Sequence, residues 1–331
     1  MPMDDLSQLT AAIAFDPKQL IGIPFALVGA VFMSIGAQMQ HRGVGKVGEN
    51  NAKNAENASL NLRQLLLLFR RPSWVFGSVL LGFAIVFQLV SLGFSPLIVV
   101  QPIGAVALVL TSVINSRVSK THLNAMSKLA VTLCVGGIGI FVAIAAFTAV
   151  NTPISAADLL EILTILAVVL VVFAVVFWIF RKRASALFYI VGAGVLYGFV
   201  ATLAKVVITR VFSGATDWLT WACVLALLLA AVLGALFVQN AYSSGPPDLV
   251  IAGLTVIDPI VAVTIGIVIL DEASQAPGWA ILSFIGAGAI AVVGVFMLAK
   301  YHPHTAHEIA EVTQDLKSSV KARTRRGSSV K

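Results

Sequence analysis

Nine long apolar stretches, separated by short polar ones, fill the chain from about residue 20 to residue 300. They fall at roughly 20–40, 74–94, 96–118, 127–150, 158–180, 186–209, 218–240, 248–270 and 277–300. Each has about the 20 mainly apolar residues that a helix needs to cross a hydrocarbon core. Several connections are very short, above all Phe94 to Pro96, so the helices on either side must be antiparallel neighbours. The pattern predicts an all-α polytopic membrane protein of nine transmembrane helices.

Two of the apolar stretches echo one another. Leu254 to Val263 reads LTVIDPIVAV and Leu97 to Val106 reads LIVVQPIGAV, identical at six of ten positions, with Gln101-Pro102 where the later copy has Asp258-Pro259. A proline inside a helix removes a backbone hydrogen bond and crowds the carbonyl one turn back, so each copy is expected to bend, with a polar side chain beside the break. Other features recur in the same order. VGA occurs at Val28-Gly29-Ala30 and at Val191-Gly192-Ala193; Gln88 and Gln239 each stand eight residues before a proline, Pro96 and Pro247; glycines cluster at Gly136, Gly137, Gly139 and at Gly286, Gly288. Spans one to four and six to nine therefore read as two similar sets, and the single spacer between them forces the sets to run in opposite senses. The expected organisation is an inverted repeat: residues 1–150 with a loop at 41–73, a spacer at 151–184, a second repeat at 185–300 and a tail at 301–331. Interrupted spans at matching positions of two halves point to the binding site of a secondary transporter.

Composition agrees with the pattern. With 59% hydrophobic and 11% charged residues, and a mean hydropathy of +0.96, the chain cannot cover a soluble globule with polar surface. The net charge of +7 resides in a few loops and the tail, which is how topology is written rather than how nucleic acid is bound. Nineteen Lys and Arg fall on one side and only Lys18 and Arg210 on the other, with Lys205 inside a span. This places the N-terminus outside and the C-terminus in the cytoplasm of a cell-membrane protein. The first apolar run follows an acidic N-terminus and is longer than a signal-peptide core, so it reads as a retained span. Cys134 and Cys223 lie within apolar segments and read as packing residues.

Outside the spans, residues 44–60 read as a mobile loop, and the following LNLRQLLLLFRRPSW suits a helix lying on the membrane surface. The tail is polar and basic, and His302, His304 and His307 within it lack partnering Cys or carboxylate ligands for a metal.

Ionisable residues within spans cost on the order of 2.5–3.5 kcal/mol each on insertion scales, so they mark a function or a pair. Asp258, near mid-span beside a helix break, and Lys205, in the outer third of the sixth span, stand out. Lys205 either snorkels to the interface or pairs with Asp258. The other polar candidates are amides: Gln38 and Gln40, Gln88, Gln101, Gln239 and Asn240. They suit a hydrated cavity for a polar or amphipathic solute, and individually also suit interhelical hydrogen bonding. Gly194 and Gly198 form a GxxxG pair that implies close helix packing inside the fold. No Walker loop, HExxH or GxSxG is present, so neither an enzyme nor a nucleotide-driven pump is expected, and no cofactor is called for.

Four stretches carry a resemblance: ALVGAVFMSIGAQMQHRGV, FSPLIVVQPIGAVALVLTSVIN, GVLYGFVATLAKVVITRV with Lys205, and VQNAYSSGPPDLVIAGLTVIDPIVAVTIGIVILDE, which closes on Asp271-Glu272. Over residues 20–300 the chain resembles the drug/metabolite transporter superfamily and, within it, the nine-helix NIPA-like branch. The resemblance implies two inverted four-helix halves around a central cavity, with some members of the branch linked to magnesium. Helix one here lacks the glutamate through which small relatives couple to protons, and Asp258 is the one carboxylate expected to be buried. The leading expectation is a secondary transporter of a small metabolite or amphipathic compound, with Asp258, Lys205, Gln101, Gln88, Gln239 and Gln38 as site residues and Pro102 and Pro259 as helix breaks. The alternatives are a magnesium transporter with Asp258 as the metal-contacting residue, and a membrane scaffold or lipid-handling accessory. The expected partners are the bilayer, the substrate and, as a candidate, a second copy of the chain.

Overall fold

A computed structural model describes residues 19–51, 72–118, 125–180, 186–245 and 247–301. Ten helices run through them: α1 (Gln19–Asn51), α2 (Pro72–Phe94), α3 (Leu97–Gly104), α4 (Val106–Val118), α5 (Ala125–Thr148), α6 (Ala156–Phe180), α7 (Ala186–Phe212), α8 (Trp218–Ser244), α9 (Pro247–Val268) and α10 (Gly278–Tyr301). Among the described residues these supply nine candidate spans, the third of which joins α3 to α4. The expected span boundaries are met to within a few residues. Of the stretch expected to form a surface helix, residues 60–71 lie outside the described residues and Pro72, Ser73 and Trp74 open α2; the tail beyond Tyr301, with its three histidines, also lies outside them. In α1 the helix continues past the apolar run as far as Asn51, where a loop was expected. The end of an apolar run marks where the bilayer stops, and backbone hydrogen bonding can carry a helix further.

The two proline copies do not behave alike. In the first, the helix breaks between α3 and α4 at Ala105, whose N–H turns back to Pro102 O at 3.2 Å. In the second, α9 runs unbroken through Pro259. Where the first copy has Gly104, a poor helix former, the second has Val261. A Cβ added to Gly198 of α7 would lie 2.6 Å from the Val261 Cβ, so that side chain is pressed onto α7 and holds its own helix in line.

Packing follows the small residues. α1 lies along α2, α7 lies along α8 and α9, and α5 lies along α10, while α3 contacts α1, α5 and α9. The α1–α2 approach is made at Gly36 and Gly77, where an added Cβ would come within 3 Å of the facing backbone. At α5–α10 it is made at Gly137 and Gly294, whose added Cβ atoms would lie 2.7 Å from Ala291 N and 2.5 Å from Cys134 N. Of the glycine clusters noted in the sequence only Gly137 sits in this close contact; Gly136, Gly139 and Gly286 face open space. Gly194 and Gly198 seat Ile257 and Val261 of α9, the close packing their spacing implied. Cys134 and Cys223 are free and buried.

α3 is the most enclosed element: Leu97, Ile98, Val99, Val100 and Ile103 are all but inaccessible. α6 is the opposite. It touches α7 and α8 sparingly and exposes Val168, Val171, Val175 and Trp178, a surface tolerable only where the surroundings are themselves apolar. Between α7 and α8, Asp217 caps α8 through Thr220 N and takes a 2.8 Å bond from Arg210. The Thr220 hydroxyl foremost, with Arg210, holds its carboxyl below the ordinary range.

Candidate functional site

The helix break and the second proline meet in one place. Pro102 and Pro259 both line a pocket of about 100 Å³ between α3, α5, α9 and α10, together with Ile138, Phe141, Val256 and Val292. Thr255 brings the one hydroxyl side chain to its wall. The residues next to the two prolines are the polar ones of the echoed motif. Gln101 is buried with its Nε2 unpartnered, and Asp258 Oδ1 is likewise buried without a hydrogen-bond partner. A buried polar atom left unpaired costs roughly 1–3 kcal/mol, so such atoms point to an unmet ligand or to water.

The remaining candidates do not join them. Gln88 is half-buried on α2, where its backbone faces Gly29 of α1. Gln38 is half-buried on α1, and its neighbour Gln40 donates to Ser78 Oγ of α2 at 2.8 Å, an interhelical bond of the structural kind. Gln239 is exposed near the end of α8, as is Asn240, which bonds its own helix at Leu236 O.

Lys205 belongs to a second site. It neither snorkels nor pairs with Asp258: it is 5% exposed, and its ammonium donates to Ser95 O at 2.8 Å and to Asn151 Oδ1 at 2.9 Å. Glu272 Oε1 stands 3.5 Å away. Glu272, itself 1% exposed, accepts from Leu97 N at 2.8 Å and Ile98 N at 2.9 Å, so its carboxylate caps the N-terminus of α3 with two charge-assisted bonds. Asp258 is therefore not the only buried carboxylate, contrary to the sequence expectation. Sequence reading places Glu272 in a polar turn just past the eighth span. It is buried because the turn folds inward: Asp271 takes a left-handed φ of 52°, Glu272 N bonds Gly266 O at 3.0 Å, and Val150 N bonds Glu272 O at 2.8 Å. The Thr152 hydroxyl donates to Leu270 O in the same turn. Asn151 Nδ2 reaches Phe94 O at 3.0 Å. Three turns are thus sewn together at one end of the bundle, and Lys205 of α7 is pinned to them. The available signal was the acidic pair closing VILDE, together with a lone lysine at the corresponding depth of another span.

Among the described residues no group of three His, Cys, Asp or Glu converges as a metal site.

A family model described as Magnesium transporter NIPA matches residues 17–304. An uncharacterized protein of Corynebacterium glutamicum is 26% identical over 291 residues, covering 86% of this chain and 96% of that protein. No solved structure matches the chain.

Proposed function

The chain belongs to the magnesium transporter NIPA family, and from that premise we propose that it is a secondary transporter whose substrate is a largely hydrated magnesium ion. The observation that carries the reading is the lone Asp258 oxygen, buried and unpartnered, beside a proline that lines the pocket shared by the third and eighth spans. Magnesium usually keeps several of its waters and is held through one or two carboxylates, so the Asp258 carboxylate can meet it through those waters; the unpartnered Gln101 atom is the amide nitrogen, a donor, and is not a cation ligand. The freed carbonyl of Ile98, four residues before Pro102, belongs to the same stretch of helix.

The proposal includes the inverted repeat. Its support is the matched packing: the first helix of each set lies on the second and reaches the third, as α1 does with α2 and with α3 and α4, and α7 with α8 and α9. Gly29 and Gly192 of the two VGA triplets both face the following helix. Alternating access would then be rocking of one set against the other around the proline pair, with the N-terminus outside as the basic residues indicate.

A second reading, transport of a small amphipathic compound, is favoured by one observation: apart from Thr255 the pocket is walled by apolar side chains and glycine. Proteoliposomes loaded with a magnesium-sensitive dye separate the two. We expect magnesium flux with the wild type and its loss in Asp258→Asn, which keeps shape and hydrogen-bonding capacity without the charge. Flux unchanged in Asp258→Asn makes Asp258 structural. No flux in the wild type removes the magnesium reading and leaves the amphipathic one.

A further inference from the structure

Three oxygens from three separate segments converge on the Lys205 ammonium: Ser95 O at 2.8 Å, Asn151 Oδ1 at 2.9 Å and Glu272 Oε1 at 3.5 Å. Uncharged donors would satisfy a carbonyl and an amide, yet the chain spends a buried cation here, in a span where charge is costly to insert.

Each partner of that cation has ties of its own besides it. Glu272 is held in place without Lys205, by the two N–H groups that open α3 and by the backbone ties of its turn to Val150 and Gly266. Asn151 is held by its own bond to Phe94 O, and Ser95 N by Ser91 O at 2.9 Å. Lys205 reaches the same place on a flexible four-carbon stem from α7. The oxygens are therefore tied in place by contacts of their own, and the ammonium is held among them from a separate helix. With the ammonium withdrawn, this cage of oxygens would present a carbonyl, an amide oxygen and a carboxylate, a hard-oxygen donor set of net charge −1. Such a set binds inorganic cations.

We propose that Ser95, Asn151 and Glu272 form a cation site that the chain keeps plugged with the ammonium of Lys205. The site is distinct from the pocket at the two prolines and does not rest on the magnesium reading. Its ligand class is a small inorganic cation. The N···O distances exceed the roughly 2.0–2.1 Å of magnesium and the 2.3–2.6 Å of calcium to oxygen, so a divalent ion would draw the cage in or bind through its own water. Unplugging also frees α7 from the three turns, which makes occupancy of this site a means of releasing that end of the bundle.

The test is thermal melting of the full-length protein in detergent, wild type and Lys205→Met, in chloride series of sodium, potassium, magnesium and calcium. Choline chloride at matched ionic strength serves as the control. In choline the variant melts below the wild type; in at least one metal series it recovers by several degrees, while the plugged wild type shifts less. Adding Asn151→Leu, which removes one ligand and leaves the Glu272 cap on α3 intact, abolishes the recovery. The proposal is overturned if Lys205→Met responds to every metal cation as it does to choline, or if the recovery survives Asn151→Leu. It is equally overturned if Lys205→Met fails to fold in choline and no metal cation restores a folded elution profile. Because the readout is melting rather than flux, its failure and that of the magnesium reading are separable.

Discussion

Replacing Glu272 by alanine removes the carboxylate that accepts from Leu97 N and Ile98 N and lies against the Lys205 ammonium. Both amide groups belong to residues with no measurable exposure, so water does not take over. Each orphaned donor costs about 1–3 kcal/mol, and stripping a buried cation of its counter-ion costs about 3–5 kcal/mol. These describe overlapping consequences of losing one group, so the expected loss is about 3–5 kcal/mol rather than their sum. At about 2 °C per kcal/mol, the low end for larger domains, the melting temperature falls by about 6–10 °C. Glu272→Gln keeps one acceptor oxygen but turns an NH2 group toward the other donor, so it should fall between alanine and wild type. Glu161→Ala, at an exposed carboxylate on α6, should shift stability by no more than about 0.5 kcal/mol. The assay is thermal unfolding of detergent-purified protein, with monodisperse elution as the entry condition. Should Glu272→Ala melt within a degree of Glu161→Ala, the carboxylate does not hold the three turns together and the account of the junction is wrong.

The glycines make a contrast of the same kind. Gly294→Ala puts a methyl 2.5 Å from Cys134 N in the α5–α10 contact, which neither backbone can yield cheaply. A loss of about 1–3 kcal/mol is expected, whereas Gly136→Ala meets nothing within 4 Å and should be neutral; equal melting of the two would show that α5 and α10 are not in close contact. For orientation, a cysteine introduced as Asn51→Cys in a functional variant should resist an impermeant thiol reagent applied from outside, and ready labelling there would reverse the proposed topology.

The fold class was legible because a bilayer imposes it: every backbone group in hydrocarbon must bond internally, so length and hydropathy alone mark the spans. The two prolines of the echoed motif, Pro102 and Pro259, line one pocket. The amides were not separable by sequence. Gln101, Gln40 and Gln239 carry the same chemistry, and only the rotation of each helix makes the first buried and unpartnered, the second a strut between α1 and α2, and the third exposed.

By itself the sequence determined nine spans, the basic asymmetry of the loops, the proline pair and the isolation of Asp258 and Lys205 in apolar surroundings. These are properties of composition along a line, and the membrane converts them directly into helices and depths. Only the tertiary structure decided the partner of Lys205. Hydropathy assigns Glu272 to a polar turn, yet the left-handed residue Asp271 and the bond from Val150 fold that turn into the bundle, onto the N-terminus of α3. A charge can be buried there because two amide donors and a cation from three different stretches of chain meet it, and the convergence of distant segments leaves no trace in local pattern.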